Sequence, residues 1–155
     1  MSESCHLLLF ILDNQRYALN VSAVERTVRM VEITPLPKAP DIVLGVINVK
    51  GDIIPVLDIR GRFGLPCRGV RLSDHLIIAR TAQRTVALVA DGVSDVIERP
   101  NQEIVPPDTI LNGMEHVGGV VKLEDGMVFI HDLDGFLSLD EERALEAAIE
   151  CENHA

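Results

Sequence analysis

Hydrophobic residues fall in short runs along this chain, and polar turns separate them. Each run has four to seven residues and is rich in Val, Ile and Leu, which is typical of β-strands and too short for helices. Turns such as Lys50-Gly51-Asp52 between consecutive runs predict hairpins. The runs are His6–Leu12, Val46–Val49, Ile53–Leu57, His75–Ala79, Thr85–Ala90, Val93–Ile97, Val117–Leu123 and Met127–His131. The pattern therefore indicates a mainly β protein.

The C-terminal segment has a different pattern. Ser138-Leu139-Asp140-Glu141 matches a capping box, in which the Ser and Glu side chains bind the first free N–H groups of a helix. Leu145, Ala148 and Ile149 follow at the spacing of one apolar helix face. We therefore predict a helix over residues 139–150.

The second half of the chain repeats the first. A frame of Gly and Asp residues is harder to obtain by chance than matches among Val, Leu and Ile. Gly45, Asp58 and Gly61 recur as Gly119, Asp132 and Gly135, each after the same interval of 74 residues. Two units of five short strands suggest paired small barrels. We predict a single domain over residues 1–155, with barrels over about 7–65 and 75–139 that could exchange strands, and the helix at its end.

Composition narrows the class of protein. A net charge of −10 argues against nucleic acid as a partner, because neutralising phosphates needs a basic surface. No apolar run approaches the roughly 20 residues of a membrane span, and the N-terminus lacks the basic segment of a signal peptide. We expect a cytoplasmic protein without membrane insertion.

The basic cluster of Arg60, Arg62, Arg68 and Arg71 is interpreted as a solvated loop with compensating charge.

One segment raises the question of catalysis. Residues 128–135 read Val-Phe-Ile-His-Asp-Leu-Asp-Gly, which is similar to the nucleophile signature of haloacid-dehalogenase-like phosphatases. In this alternative, Asp132 and Asp134 would serve a phosphatase-like or small-molecule-binding β-protein. Only 20 residues follow Gly135, too few for such a domain, and the repeat explains Asp132 as the counterpart of Asp58. We expect no catalytic residue, no cofactor and no metal site.

The segment 45–65, GVINVKGDIIPVLDIRGRFGL, closely resembles the CheW family of chemotaxis coupling proteins. A second stretch, 86–96, supports the likeness, which extends from about Leu7 to Leu139. The resemblance implies two intertwined five-stranded SH3-like barrels. It also implies a non-catalytic adaptor that joins the regulatory domain of a CheA-type histidine kinase to the cytoplasmic tips of methyl-accepting chemoreceptors. Receptor tips would dock between the barrels, at membrane-associated arrays.

Site residues follow from the same resemblance. The positions that it ties to the receptor groove are Val24, Gly45, Asn48, Lys50, Gly51 and Val93, while Asp58, Arg60 and Asp132 are structural or strand-end candidates. Simpler explanations stay open: core packing for the two valines, turn geometry for the two glycines, and a local backbone hydrogen bond for Asn48. On the groove interpretation, Gly45→Asp or Lys50→Glu weakens receptor binding while the fold stays cooperative.

Two residues depart from the family pattern. Lys50 stands where the family usually has Arg, so the charge is kept and the bidentate geometry is lost. His131 stands where an apolar residue usually precedes Asp, so we expect it to be exposed or to serve a different partner. The sequence leaves open which receptor or pathway is served, and whether the chain activates the kinase or only fills places in the array.

Overall fold

The computed structural model describes residues 4–60, 65–66, 68–105, 117–124, 126–131 and 139–153. Within these residues, strands form two sheets and one helix follows them. The elements are β1 Ser4–Leu12, β2 Gln15–Asn20, β3 Val24–Arg29, β4 Val43–Val49, β5 Asp52–Leu57, β6 His75–Arg80, β7 Thr85–Ala90, β8 Gly92–Pro100, β9 Ile104–Val105, β10 Val117–Leu123, β11 Gly126–His131 and α1 Leu139–Asn153.

The two halves of the chain exchange their first hairpins. One sheet has the strand order β8-β1-β2-β11-β10-β9, so the hairpin β1–β2 lies among strands of the second half. The other sheet has the order β3-β6-β7-β5-β4, so the hairpin β6–β7 lies among strands of the first half. One strand of each inserted hairpin pairs in parallel with a strand of the other half of the chain, β2 with β11 and β7 with β5. Apart from β9, equivalent strands of the two halves stand in the same order in both sheets: β8, β1, β2, β11 and β10 correspond to β3, β6, β7, β5 and β4. This correspondence is the structural form of the sequence repeat.

The predicted class, a mainly β protein of two intertwined SH3-like units with a C-terminal helix, is confirmed. Two details differ from ideal five-stranded barrels. The first sheet has a sixth strand, the two-residue β9, which pairs with β10. Across the described residues, hydrogen bonds close neither sheet into a barrel. Strand β3 stays an edge because Glu25, Arg26 and Arg29 are exposed along it, and charged side chains discourage further pairing.

The described core consists of one cluster shared by the sheets, a smaller cluster inside each sheet and a fourth at the C-terminal helix. On β6, Ile77 and Ala79 face the shared cluster, whereas Leu76 and Ile78 face the interior of their own sheet. Strand β1 divides its residues in the same way. Both inserted hairpins are therefore buried on both faces, which explains why their strands are continuous apolar runs without alternation. The shared cluster contains Leu8, Phe10, Leu12, Tyr17, Leu19, Ile42, Leu57, Ile59, Ile77, Ala79, Val86, Leu88 and Ala90.

Helix α1 covers one side of the second sheet. Leu145 and Ala148 are buried against Leu36, Val43 and Val46, with Ile149 at the margin, so the predicted apolar stripe is confirmed. The helix runs to Asn153, slightly beyond the predicted end. The capping residue Ser138 lies outside the described residues. Helix α1 follows β11 of the first sheet along the chain and packs on the second sheet, so it adds a further connection between the sheets.

Replacing Leu88 tests the shared cluster. Leu88 is fully buried, so Leu88→Ala should lower the free energy of unfolding by about 2–5 kcal/mol through lost burial and a residual cavity. Because this cluster joins both sheets, urea unfolding followed by circular dichroism should still show one transition. The matched control is Ile53→Ala, at a side chain that is 52% exposed, which should leave the midpoint nearly unchanged. Two separate transitions in Leu88→Ala would contradict a shared core.

Candidate functional site

The β4–β5 turn carries three of the predicted groove residues. The side-chain oxygen of Asn48 accepts a hydrogen bond of 2.9 Å from the Gly51 N–H, which is the local bond considered for this residue. Lys50 and Gly51 both have positive φ, at 52° and 92°. Such backbone angles favour glycine and are uncommon for other residues. The turn is thus held in one shape and exposes the Lys50 side chain at its tip.

Gly45 lies where no side chain fits. A Cβ there would be 2.3 Å from the carbonyl oxygen of Thr34, whose backbone exchanges two hydrogen bonds with Val46. Its φ of 155° and the adjacent register shift between β4 and β5 mark a bulge. Gly45→Asp must therefore displace the backbone at Thr34, so we expect it to destabilise the fold in addition to any effect on binding.

Val24 and Val93 lie at the starts of edge strands in different sheets. Val24 pairs with Ala79 on β6, and Val93 pairs with Phe10 on β1. Both valines are half-buried and pack against the shared cluster. Core packing, the simpler explanation for both valines, is therefore present, and part of each side chain is still accessible to a partner.

An open cavity of about 430 Å³ lies between the start of β3 and the start of β5. Glu25 and Arg26, which follow Val24, line one side, while Asp52 and Ile53, which follow Gly51, line the other. Ile53 is 52% exposed, a large fraction for an isoleucine. Arg80, Arg84 and Thr85, at the β6–β7 turn, also line the cavity. None of the predicted groove residues is among the lining residues, although Val24 and Gly51 directly precede the lining residues Glu25 and Asp52 in the chain.

Arg60 is buried and paired with carboxylates from both halves of the chain. It is only 4% exposed, donates a 2.7 Å hydrogen bond to Asp13, and donates bonds of 2.7 and 2.9 Å to the two oxygens of Asp91. Asp58 accepts a 3.2 Å bond from the Arg60 backbone N–H, and its own N–H donates to Ile42. Because Asp13 follows β1 and Asp91 follows β7, Arg60 links the ends of the two inserted hairpins.

Arg68 extends this ion network. Its guanidinium donates to both oxygens of Asp74, at 2.9 and 2.7 Å, and also to Asp91. Burial alone would raise the pKa of Asp74, but the bonds from Arg68 and from the Arg71 N–H outweigh it and hold that pKa below its usual value. Hydrogen bonding to Asp74 in turn raises the pKa of Arg68.

The interpretation of the arginine cluster as a solvated loop is wrong for Arg60 and Arg68. Both side chains are largely removed from solvent because they neutralise carboxylates that the strand ends bring together. Arg71 is exposed, and Arg62 lies outside the described residues. Sequence reasoning missed the acidic partners Asp13, Asp74 and Asp91. The available signal was that each acid directly adjoins a buried apolar run.

His131 is buried, at 5% exposure, so the expectation of an exposed side chain is wrong. Its ring packs edge-on against Phe10 and Tyr17, with centroids 5.0 Å apart in each case. An imidazole has an apolar body of carbon atoms beside its two nitrogens, so this ring can pack against aromatic side chains where the family usually has an apolar residue.

Asp132 and Asp134, the residues of the phosphatase-like alternative, fall in a segment that the structure does not describe. The structural role expected for Asp132 therefore stays a prediction. In the described ranges, no group of three or more His, Cys, Asp or Glu residues is placed to hold a metal ion. No helix there combines the length and apolar content that crossing a bilayer requires.

Comparison with known proteins adds to this geometry. The family model of the CheW-like domain matches residues 6–141, which include both inserted hairpins and the ion network. The chain belongs to the CheW family. It is 31% identical over 140 residues to the chemotaxis protein CheW of Rhizobium meliloti, covering 89% of this chain and 90% of that one.

Two further members of the CheW family support the assignment. The chemotaxis protein CheW of Klebsiella aerogenes is 30% identical over 138 residues, covering 86% of this chain and 82% of that protein. The crystal structure of the scaffolding protein TtCheW from Thermoanaerobacter tengcongensis superposes with a TM-score of 0.81 at 30% identity. That comparison covers 91% of this chain and 96% of TtCheW.

Arg60→Ala tests the network. Removing Arg60 leaves the Asp13 carboxylate without this partner, while Arg68 still pairs with Asp91, so we expect a loss of about 1–3 kcal/mol in the free energy of unfolding, measured by urea denaturation. Arg29→Ala, at an exposed arginine on β3, is the matched control and should change it by less than about 0.5 kcal/mol. Equal effects of the two substitutions would show that the network does not stabilise the fold.

The lowered pKa of Asp74 predicts an acid dependence. The ordinary value is 3.8, and the folded value lies below it, so the stability from this group is complete above the ordinary value. It is lost as the pH falls through the folded value. The native protein should therefore be more stable than Asp74→Asn at about pH 7, and the difference should shrink by about pH 3. A difference in urea midpoints that does not change with pH would contradict this assignment.

Proposed function

We propose that this protein is a non-catalytic adaptor that couples the cytoplasmic tips of chemoreceptors to a CheA-type histidine kinase. Membership of the CheW family supports the proposal, as does the high coverage of relatives that are chemotaxis proteins and of one that is a scaffolding protein. The direct partners are a receptor tip and the regulatory domain of the kinase. The protein acts in the cytoplasm, at membrane-associated receptor arrays.

The observation that carries the proposal is the cavity between β3 and β5. Two positions that the family resemblance ties to receptor docking, Val24 and Gly51, directly precede lining residues of this cavity, Glu25 and Asp52, in the chain. Its margin combines the exposed Ile53 with charges of both signs, Asp52 and Arg26 among them. An apolar anchor inside a polar rim is the usual composition of a protein-docking surface.

Preorganisation also supports docking at this margin. The Asn48–Gly51 bond and the positive φ angles hold the turn before any partner arrives. Beneath it, the bulge at Gly45 allows the Thr34 segment to pair closely with β4. A surface that is already ordered loses little conformational entropy on binding, which favours affinity.

Lys50→Glu tests the docking surface. Reversing this exposed charge should weaken binding of a receptor cytoplasmic fragment about tenfold, a change of about 1.4 kcal/mol, because it alters the electrostatics of the margin. Binding is measured by co-sedimentation and calorimetry. Lys38→Glu is the matched control, since Lys38 is exposed and also has a positive φ, 67°, but lies outside the β4–β5 turn, which directly precedes the lining residues Asp52 and Ile53. Lys50→Arg, which restores the usual family residue, should bind at least as well as the native protein.

Two results would count against these assignments in different ways. Unchanged receptor affinity in Lys50→Glu would remove the turn from the docking surface. Failure of the native protein to bind both the receptor fragment and the kinase regulatory domain at about 50 µM, a weak threshold for a specific complex, would reject the adaptor function itself.

A further inference from the structure

The proposed docking cavity lies at one end of the apolar interior of the second sheet. Directly paired residues of an antiparallel sheet lie on the same face. Arg26 pairs with Ile78, whose side chain belongs to the cluster inside this sheet. Because residues alternate between faces along a strand, Arg80 lies on that face too, as does its partner Thr85. Polar side chains thus follow the apolar cluster on one face of the sheet.

Arg26 and Arg80 are close enough to bind the same group. Arg80 is the diagonal neighbour of Arg26 across β3 and β6, and such neighbours are about 7–8 Å apart, within reach of long side chains. Both arginines are exposed and line the cavity of about 430 Å³. Within the part of the chain that the structure describes, neither forms an ion pair. Both guanidiniums are therefore available to a ligand from outside the chain.

The charge of this cavity differs in sign from that of the chain. The whole chain has a net charge of −10. Around the cavity, however, cations outnumber carboxylates: its charged lining residues are Arg26, Arg80, Arg84, Glu25 and Asp52. A locally positive surface on an acidic protein favours a partner that supplies carboxylates, because complementary charges attract and like charges are rejected.

The β6–β7 turn fixes the backbone that carries Arg80 and Thr85. The Oγ1 atom of Thr81 accepts 3.1 Å hydrogen bonds from the N–H groups of Gln83 and Arg84, and it donates one of 3.0 Å to the Arg84 carbonyl. The Thr81 N–H also donates to that carbonyl, at 2.8 Å. Arg80 directly precedes this turn and Thr85 directly follows it. A partner that binds Arg80 therefore has little backbone left to order.

We propose that Arg26 and Arg80 together bind a carboxylate of the partner that docks in this cavity, and so select a segment with an acidic side chain beside an apolar one. The proposal rests on the adaptor function, in which the partner is a receptor tip. The carboxylate contacts both guanidiniums, whose planar forks match its two oxygens. The apolar side chain packs on Ile53, which is 52% exposed and lines the same cavity. Neither arginine is among the positions that the family resemblance ties to docking.

Charge reversal tests both arginines with a receptor cytoplasmic fragment. Arg26→Glu and Arg80→Glu should each weaken binding at least about tenfold in calorimetry, because each removes one fork and repels the carboxylate. Arg26→Lys and Arg80→Lys, which keep the charge without the fork, should give smaller losses. Arg29→Glu is the matched control: it makes the same change at an exposed residue of β3 that does not line the cavity, and it should bind within about twofold of the native protein. Since all three side chains are exposed, circular dichroism should show a retained fold.

A small probe tests the carboxylate site without the receptor. The amide of N-acetylglutamate carries one side-chain carboxylate, and the amide of N-acetylglutamine is its neutral counterpart of the same shape. In an NMR titration of the native protein to about 50 mM, a range suited to one weak contact, the acid should shift the Nε–H signals of Arg26 and Arg80. The neutral probe should not shift them, and the signal of Arg29 should respond to neither. In Arg80→Glu, the acid should no longer shift the Arg26 signal.

The results separate this proposal from the adaptor function. If the native protein binds the receptor fragment and both charge reversals bind as tightly as Arg29→Glu, the carboxylate site is overturned while the adaptor function stands. Equal shifts with the acidic and neutral probes would also overturn it. If the native protein does not bind the fragment at all, the adaptor function fails, and the receptor is rejected as the occupant of the cavity. Losses confined to the Arg26 and Arg80 variants, together with shifts by the acidic probe alone, support the proposal.

Discussion

Burial of the two inserted hairpins on both faces is the constraint on which this fold depends. A hairpin with two apolar faces must be covered twice, once by strands of its own sheet and once by a second layer. Here each half of the chain supplies strands around the hairpin of the other half, and the hairpins then pack on each other through the shared cluster. Each hairpin is buried against strands of the other half, so we expect the two sheets to unfold as one cooperative unit.

The ion network follows from that arrangement. Once two buried hairpins pack together, their ends bring the carboxylates of Asp13 and Asp91 close to each other, where like charges repel and solvent is limited. Arg60 and Arg68 neutralise them, and the planar guanidinium suits this role because it binds two carboxylates at once. The family-like DIR segment is in this way a structural connection between the halves of the chain.

Rigid turns attached to this framework carry the surface proposed for partner recognition. The β4–β5 turn is held by a side-chain hydrogen bond and by two residues with positive φ, and the turn before β6, residues 70–73, is held by the buried Asp74. Both turns present exposed side chains on a backbone that the core has already ordered. Such surfaces suit a protein of the CheW family whose proposed activity is binding, because ordered turns recognise partners at low entropic cost.

The sequence by itself determined the local elements and the repeat. Short apolar runs predict the strands, the stripe of Leu145 and Ala148 predicts the helix, and the Gly and Asp frame marks the two halves, because these signals depend on neighbouring residues. Only the tertiary structure decided which half supplies each hairpin, since the repeat is the same whether strands pair within or between halves. Likewise, only packing decided that Arg60, Arg68 and His131 are buried, because their partners are distant in sequence and close only in the folded chain.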